Sequence, residues 1–221
     1  MDRPQSLDDI EEIVAQRFAQ DATGHDLHHL RRVTSLALRL AEEEGADIRI
    51  VGAAALLHDL HRLMELESGH YHSAKESLPL ARSILEQVGF PIEHVDDVLY
   101  CIAHHEDYSF TKRGIRSSLP IEAIIIQDAD NLDAMGAIGV ARCFMFSGAH
   151  DTPMGEPGDR GRAGPYDPTQ QDGSAVAHFH EKLLKLKDDI RTRSAQRLAL
   201  ERHNYMGSFL ERLSKEWSGE L

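Results

Sequence analysis

Ile48-Arg49-Ile50-Val51-Gly52-Ala53-Ala54-Ala55-Leu56-Leu57-His58-Asp59 decides the fold. From Ile50 to Leu57 no polar side chain interrupts it, and the run is rich in alanine and leucine, both strong helix formers. A helix that is apolar on every side has to be enclosed, so the spacing predicts a central buried helix from Ile48 to about Met64. The flanking sequence supplies amphipathic helices to surround it. Upstream, Ser6 is placed to cap a helix, with Asp9 three residues on and a stripe of Leu7, Ile10, Val14 and Phe18. The segment 20–26, with Gly24, breaks it. A second helix is predicted over Asp26 to Glu44, with Val33, Leu36, Ala37 and Leu40 on one face and Gly45 as its stop.

Downstream, Ser73-x-x-Glu76 has the form of a capping box ahead of Ala81, Ile84, Leu85 and Val88, and Gly89-Phe90-Pro91 closes that helix. Val95, Val98, Leu99 and Ile102 recur at helical spacing between Ile92 and His105. A connection over Lys112 to Arg116 follows, and Pro120 opens an apolar helix through Ile124, Ile125 and Ile126. Residues 147–174 differ in kind: six glycines and four prolines in 28 residues leave no room for a regular element, and predict a long loop or lid. Helical spacing returns over 175–217 as a C-terminal helical segment. Sustained period-two alternation is absent throughout, so the expectation is an all-α, single-domain helical bundle over 1–221.

Composition narrows the functions. The 221 residues carry a formal charge of −13, which argues against nucleic acid or an anionic membrane as partner, since both need a basic footprint. No run of eighteen apolar residues occurs, so a membrane span is not expected. The two cysteines, Cys101 and Cys143, each lie in an apolar stretch and read as buried thiols of a reducing, cytoplasmic environment. Fourteen histidines are about 6% of the chain, a density that raises the prior for a metal site.

Some of these histidines stand where the periodicity demands core. His29 precedes Val33, Leu36 and Leu40 by four, seven and eleven residues and shares their face. His58-Asp59 ends the apolar run, and Asp130 follows Ile126 by four on another buried helix. Separately buried, two histidines and two carboxylates would be very costly; one shared divalent cation removes the cost. Imidazole with carboxylate suits Mn, Fe, Co, Ni or Zn, and Mg less well.

These residues carry a resemblance. His25-Asp26-Leu27-His28-His29-Leu30-Arg31-Arg32-Val33, then Ala54-Ala55-Leu56-Leu57-His58-Asp59, then Gln127-Asp128-Ala129-Asp130-Asn131-Leu132-Asp133-Ala134 resemble the HD-domain superfamily of metal-dependent phosphohydrolases, over about 24–141. The stretches 128–142 and 178–188 look more narrowly like a bacterial subfamily that includes nucleotide pyrophosphohydrolases. The resemblance implies a cation on His29, His58, Asp59 and Asp130, and attack of a metal-bound hydroxide on the phosphorus of a nucleotide or similar small phosphate ester. A metal- and nucleotide-binding sensor without turnover is the alternative.

In two-metal members a histidine ahead of a helix and a His-His pair hold a second cation, bridged by the doublet aspartate; here His72, His104 and His105 would take those places. Contact of His104 and His105 with substrate phosphate, or a cationic helix cap, is the competing reading. Asp59 is followed by Leu60-His61-Arg62-Leu63, with no carboxylate before Glu65, which departs from members that carry an acid soon after the doublet. Arg62 is a candidate phosphate contact or a solvated helix-end arginine, and Lys182 and Lys185, one turn apart, suit a polyphosphate tail or a solvated basic face. Asp133 is a candidate to orient a ligand or a water, with a plain helix-surface acid as the competing reading. The implied partner is a small phosphorylated molecule, with no nucleic acid and no membrane, and a homo-oligomer stays open.

Overall fold

The computed structural model describes residues 4–19, 21, 23–112, 118–170 and 173–221. Among them every regular element is helical; one isolated bridge, Thr111 to Tyr166, is the sole β pairing there. The expected connection over Lys112 to Arg116 falls largely outside the described residues.

The chain forms two compact units. The first holds the described residues within 1–21, 25–107 and 116–130, the second those within 22–24, 108–115 and 131–221. In the first unit, helix α3 (Ile48–Leu57) is the centre, with every residue from Ile50 to Leu57 buried. Around it pack α1 (Gln5–Arg17), α2 (Leu27–Glu44) and α6 (Ile92–His104). A β-carbon at Gly52 would overlap the Leu7 side chain, so glycine there is what lets α1 approach α3 closely. Asp26 caps α2, its Oδ1 accepting from the His29 amide at 2.8 Å, and Gly45 ends it in the left-handed conformation at φ 75°.

Three sequence expectations change. Ser6 is no cap: α1 begins one residue earlier, with Pro4 at its N-cap and no side-chain hydrogen bond there. The central helix does not run on to Met64. It stops at Leu57, turns through His58 and Asp59, and restarts as α4 (Leu60–Ser68). Asp59, at φ −96° and ψ 14°, sits in the sparsely allowed bridge region, and that single residue redirects the chain. The Ser73/Glu76 capping box forms as expected, but it opens one 3₁₀ turn, Ala74–Ser77, before α5 (Leu78–Gln87).

The second unit contains the end of α7 (Ile121–Asp133), α8 (Gly136–Ala149), α9 (Ala175–His178), α10 (Leu186–Asp189) and α11 (Arg193–Trp217). The C-terminal helical segment is thus broken twice, first by a wide π-helical turn over Phe179–Leu183. Phe144, Phe179 and Phe209 cluster with ring centres 6.0–6.1 Å apart. The described residues between α8 and α9 form no helix or strand but are tied down. Ala175 and Val176 donate to the carbonyls of Pro153 and Met154, Tyr166 donates to that of Phe110, and Ser174 Oγ donates to Asp159 at 2.6 Å. Both cysteines are free and buried.

Candidate metal centre

Four side chains from three helical regions of the first unit meet in its interior. His29 comes from the first turn of α2, placed there by the Asp26 cap; His58 and Asp59 come from the turn after α3, and Asp130 from α7. The Nε2 atoms of His29 and His58 lie 3.2 Å apart. Asp59 Oδ2 is 3.1 Å from His29 Nε2 and 3.6 Å from His58 Nε2. Asp130 Oδ1 is 3.6 Å and 3.7 Å from the same two nitrogens. Both imidazoles are wholly buried.

The arrangement fits a divalent cation. Ligands about 2.1 Å from a common centre stand about 3.0–3.4 Å from one another, close to the observed separations. His58 Nδ1 lies 2.8 Å from the Ala55 carbonyl, which can only accept, so the ring proton sits on Nδ1 and Nε2 offers its lone pair inward. The two buried Nε2 atoms face each other at 3.2 Å, a separation that either a shared proton or a shared cation bridges. The electrostatics agree. Burial alone would lower the His58 pKa, but the charges of Asp59 and Asp130 overcome it and raise it to about 9. Against the same desolvation, His58, His25 and His29 hold Asp59 well below the usual carboxylate range, and His58 does so for Asp130. Without a metal, this pocket demands a proton.

Residues not singled out from sequence complete the surroundings. His25 Nδ1 lies 2.7 Å from Asp59 Oδ2 and holds that carboxylate. His61 is fully buried, its Nδ1 3.2 Å from the His58 carbonyl and its Nε2 3.6 Å from Glu106 Oε2. Burial, with Arg62 alongside, pushes its pKa down to about 3, so it is neutral. Doublet spacing and apolar stripes carry no signal for any of these; the departure after Asp59 was the one hint at His61.

The other candidates have definite places. His105 donates from Nδ1 to the Ile102 carbonyl at 2.8 Å, and its Nε2 is 4.0 Å from Asp59 Oδ1. His104 instead pairs with Asp107 at 2.7 Å and lies against the Tyr100 ring. His72 bonds Glu76 at 2.8 Å and Ser68 at 2.9 Å. Among the described residues, neither His72 nor His104 enters a cluster able to hold a metal, whereas His105 enters two. Arg62 is largely buried, on Glu106 at 2.6 Å and Glu65 at 2.9 Å, with Nε 3.8 Å from Asp59. Within the second unit, Asp133 is buried and paired with Arg142 at 3.2 Å. Lys182 Nζ stands 4.9 Å and 5.7 Å from the ring centres of Tyr108 and Tyr166, and Lys185 Nζ 5.7 Å from that of Phe110, both as cation–π pairs.

Comparison with known proteins follows the same residues. The family model of the HD domain matches residues 26–135, which include His29, His58, Asp59 and Asp130. YpgQ of Bacillus subtilis (strain 168) is 39% identical over 204 residues, 91% of this chain and 89% of that protein. A crystal structure from Lactobacillus plantarum superposes with a TM-score of 0.82 at 33% identity, covering 99% of this chain and 100% of the other. The crystal structure of B. subtilis YpgQ in complex with ADP gives 0.67 at 35% identity, over 95% and 97% of the two chains. An HD-superfamily hydrolase from Bacillus thuringiensis gives 0.68 at 35% identity, over 97% of each. This chain belongs to the HD domain family.

Proposed function

We propose that the protein is a cytoplasmic, metal-dependent phosphohydrolase acting on a nucleotide or a similar small phosphate ester. The observation that carries this reading is the pair of buried Nε2 atoms of His29 and His58, 3.2 Å apart and flanked by Asp59 and Asp130. A divalent cation of the Mn, Fe, Co, Ni or Zn group bound there supplies Lewis-acid charge and lowers the pKa of water into the hydroxide range. The chain's own residues do the rest. His58, with its proton committed to Ala55, cannot rotate away from the centre. His25 holds the Asp59 carboxylate by one oxygen, and Arg62 faces the other from 3.8 Å. Arg62 brings a fixed positive charge beside the centre, suited to an anionic substrate.

Two supports come from outside the cluster. A relative, YpgQ, is known in complex with ADP, and another is a hydrolase of the same superfamily. Two buried free thiols suit a reducing compartment. The test is release of phosphate or pyrophosphate from a panel of nucleotides by protein loaded with each cation in turn. Turnover that chelation abolishes, and that His29→Ala lacks, is the expected result. Nucleotide binding without turnover under every cation would instead make the protein a sensor.

A further inference from the structure

Arg142 holds two places that lie next to residues of the metal centre along the chain. Its Nη1 donates to Asp133 Oδ2 at 3.2 Å, and its Nε donates to the Gly24 carbonyl at 2.8 Å. Asp133 ends α7, three residues after Asp130, and Gly24 immediately precedes His25. Arg142, Asp133 and Gly24 all belong to the second unit, and the chain crosses between the units at 24–25 and at 130–131. The pair is well enclosed, with the Asp133 side chain 2% exposed and that of Arg142 12%. A guanidinium offers several donors in one rigid plane, so a single side chain can hold two acceptors at once.

The two branches are not equivalent. The last turn of α7 has a second tie, since Arg202 of α11 donates from Nη1 to the Leu132 carbonyl. Residue 24 is where Arg142 matters most. Gly24 has φ 95°, a left-handed turn that glycine takes without strain, and a β-carbon there would stand 3.6 Å from Arg142 Cγ, so the arginine stem lies against the turn it holds. His25 follows at once, ahead of the Asp26 cap, where α2 does not fix the backbone. Its ring is nonetheless closely placed: Nδ1 lies 2.7 Å from Asp59 Oδ2, the oxygen that stands 3.1 Å from His29 Nε2. Asp59 is held ionised and can only accept, so the ring proton sits on Nδ1.

We propose that Arg142 is a positioning residue of the centre: by holding the Gly24 carbonyl it fixes His25 on Asp59, and so keeps Oδ2 of that carboxylate turned to the facing imidazoles. Through Asp133 the same guanidinium ties residue 24 to the helix that supplies Asp130. The coupling runs along the chain, through one peptide bond on one side and one helical turn on the other. Asp133 then acts on Arg142, in place of orienting a ligand or a water itself. The proposal rests on the metal reading of the cluster, although Arg142 itself ligates nothing.

Arg142→Lys is the informative variant. A lysine ammonium keeps the charge beside Asp133 but is a point charge, and cannot also replace Nε at Gly24. Alanine would instead leave Asp133 buried without its partner. Mn²⁺ affinity of the full chain is measured by competition with a chelator for the wild type, Arg142→Lys, His25→Ala and the double variant, with folding checked by circular dichroism. Arg142→Lys should bind about tenfold more weakly, within the roughly 10- to 100-fold loss typical of residues that orient metal ligands. The double variant should bind no more weakly than His25→Ala alone, because both changes act through one contact. Losses that multiply in the double variant, or wild-type affinity in Arg142→Lys, would overturn the proposal. Should Arg142→Lys not fold, Arg142→Gln with Asp133→Asn removes both charges together and enters the same cycle. A second measurement needs no metal. In metal-free wild type the hydrogen-bonded Nδ1–H of His25 should give a downfield proton resonance, absent in His25→Ala and broadened or lost in Arg142→Lys; an unchanged resonance in Arg142→Lys refutes the positioning role. Loss of that resonance, in a protein whose wild type binds no Mn²⁺, would keep the hold of Arg142 on His25 and remove the phosphohydrolase reading instead.

Discussion

Stripping the metal should make the protein's stability depend on pH in a window where few other groups titrate. In the metal-free fold Asp59 and Asp130 outweigh burial and raise His58 from 6.5 to about 9. A group whose pKa is raised on folding contributes stability that is complete below its unfolded pKa and lost as pH climbs through the folded value. The gap between 6.5 and about 9, at 1.36 kcal/mol per pH unit, is worth about 3 kcal/mol, most of it gone by pH 9. Other perturbed groups act outside the window. His61 and His178, both pushed down to about 3 chiefly by burial, withdraw stability only as pH falls below 6.5. Burial raises the Cys143 thiol to about 12, and Cys101 is raised likewise, so they matter only above their ordinary 9.0. Urea unfolding of chelator-treated protein between pH 6.5 and 9 reads the effect. With a slope of about 3 kcal/mol per molar urea, the midpoint should fall by about 1 M. Metal-loaded protein should show no such fall, since the cation replaces the proton. A metal-free midpoint that stays constant over the window would refute the view that the cluster is short of positive charge.

Titration of Mn²⁺ into metal-free protein at pH 7.5 should release close to one proton per ion bound at the centre, seen as a buffer-dependent heat in calorimetry. Asp59→Ala should lose far more than the roughly 10²–10³-fold expected for one hydrogen-bond donor, with helicity by circular dichroism retained. His72→Ala and His104→Ala, whose rings are held by Glu76 and Asp107, should leave the metal content of the protein unchanged by elemental analysis. Gly139→Ala would drive a β-carbon into the Ala134 carbonyl at the start of α8, and should lower unfolding stability by about 1–3 kcal/mol in urea titration.

The sequence made the helical class plain because an apolar run like Ile50–Leu57 has few other uses, and the four inward-pointing groups were legible because each interrupts an apolar stripe or ends one. His61, Arg62 and Glu106 were not, for a physical reason. Their burial depends on the turn at Asp59, which an Ala/Leu-rich stretch does not announce, and on an ion pair between residues 44 apart. From sequence Arg62 reads as a phosphate contact or a solvated helix-end arginine; the structure overturns the solvated reading, since the side chain is largely buried between two glutamates. His25 lies ahead of the Asp26 cap, where no periodicity applies. The breaks within 175–217 escaped notice because no proline, and no glycine before Gly207, marks them.

His58, His61 and His105 share one device: each ring is oriented by the backbone carbonyl three residues before it, those of Ala55 and Ile102 lying in the last turns of α3 and α6. A carbonyl belongs to every amino acid. The orientation of these rings therefore survives replacement of the side chains at 55 and 102, and a search for supporting mutations there would find little. What it cannot survive is a change of count. Inserting or deleting one residue between 55 and 58, or between 102 and 105, removes the acceptor from beneath the ring and frees the imidazole to turn. Over evolutionary time such a centre tolerates drift in composition around it while forbidding any change of length within those two four-residue steps.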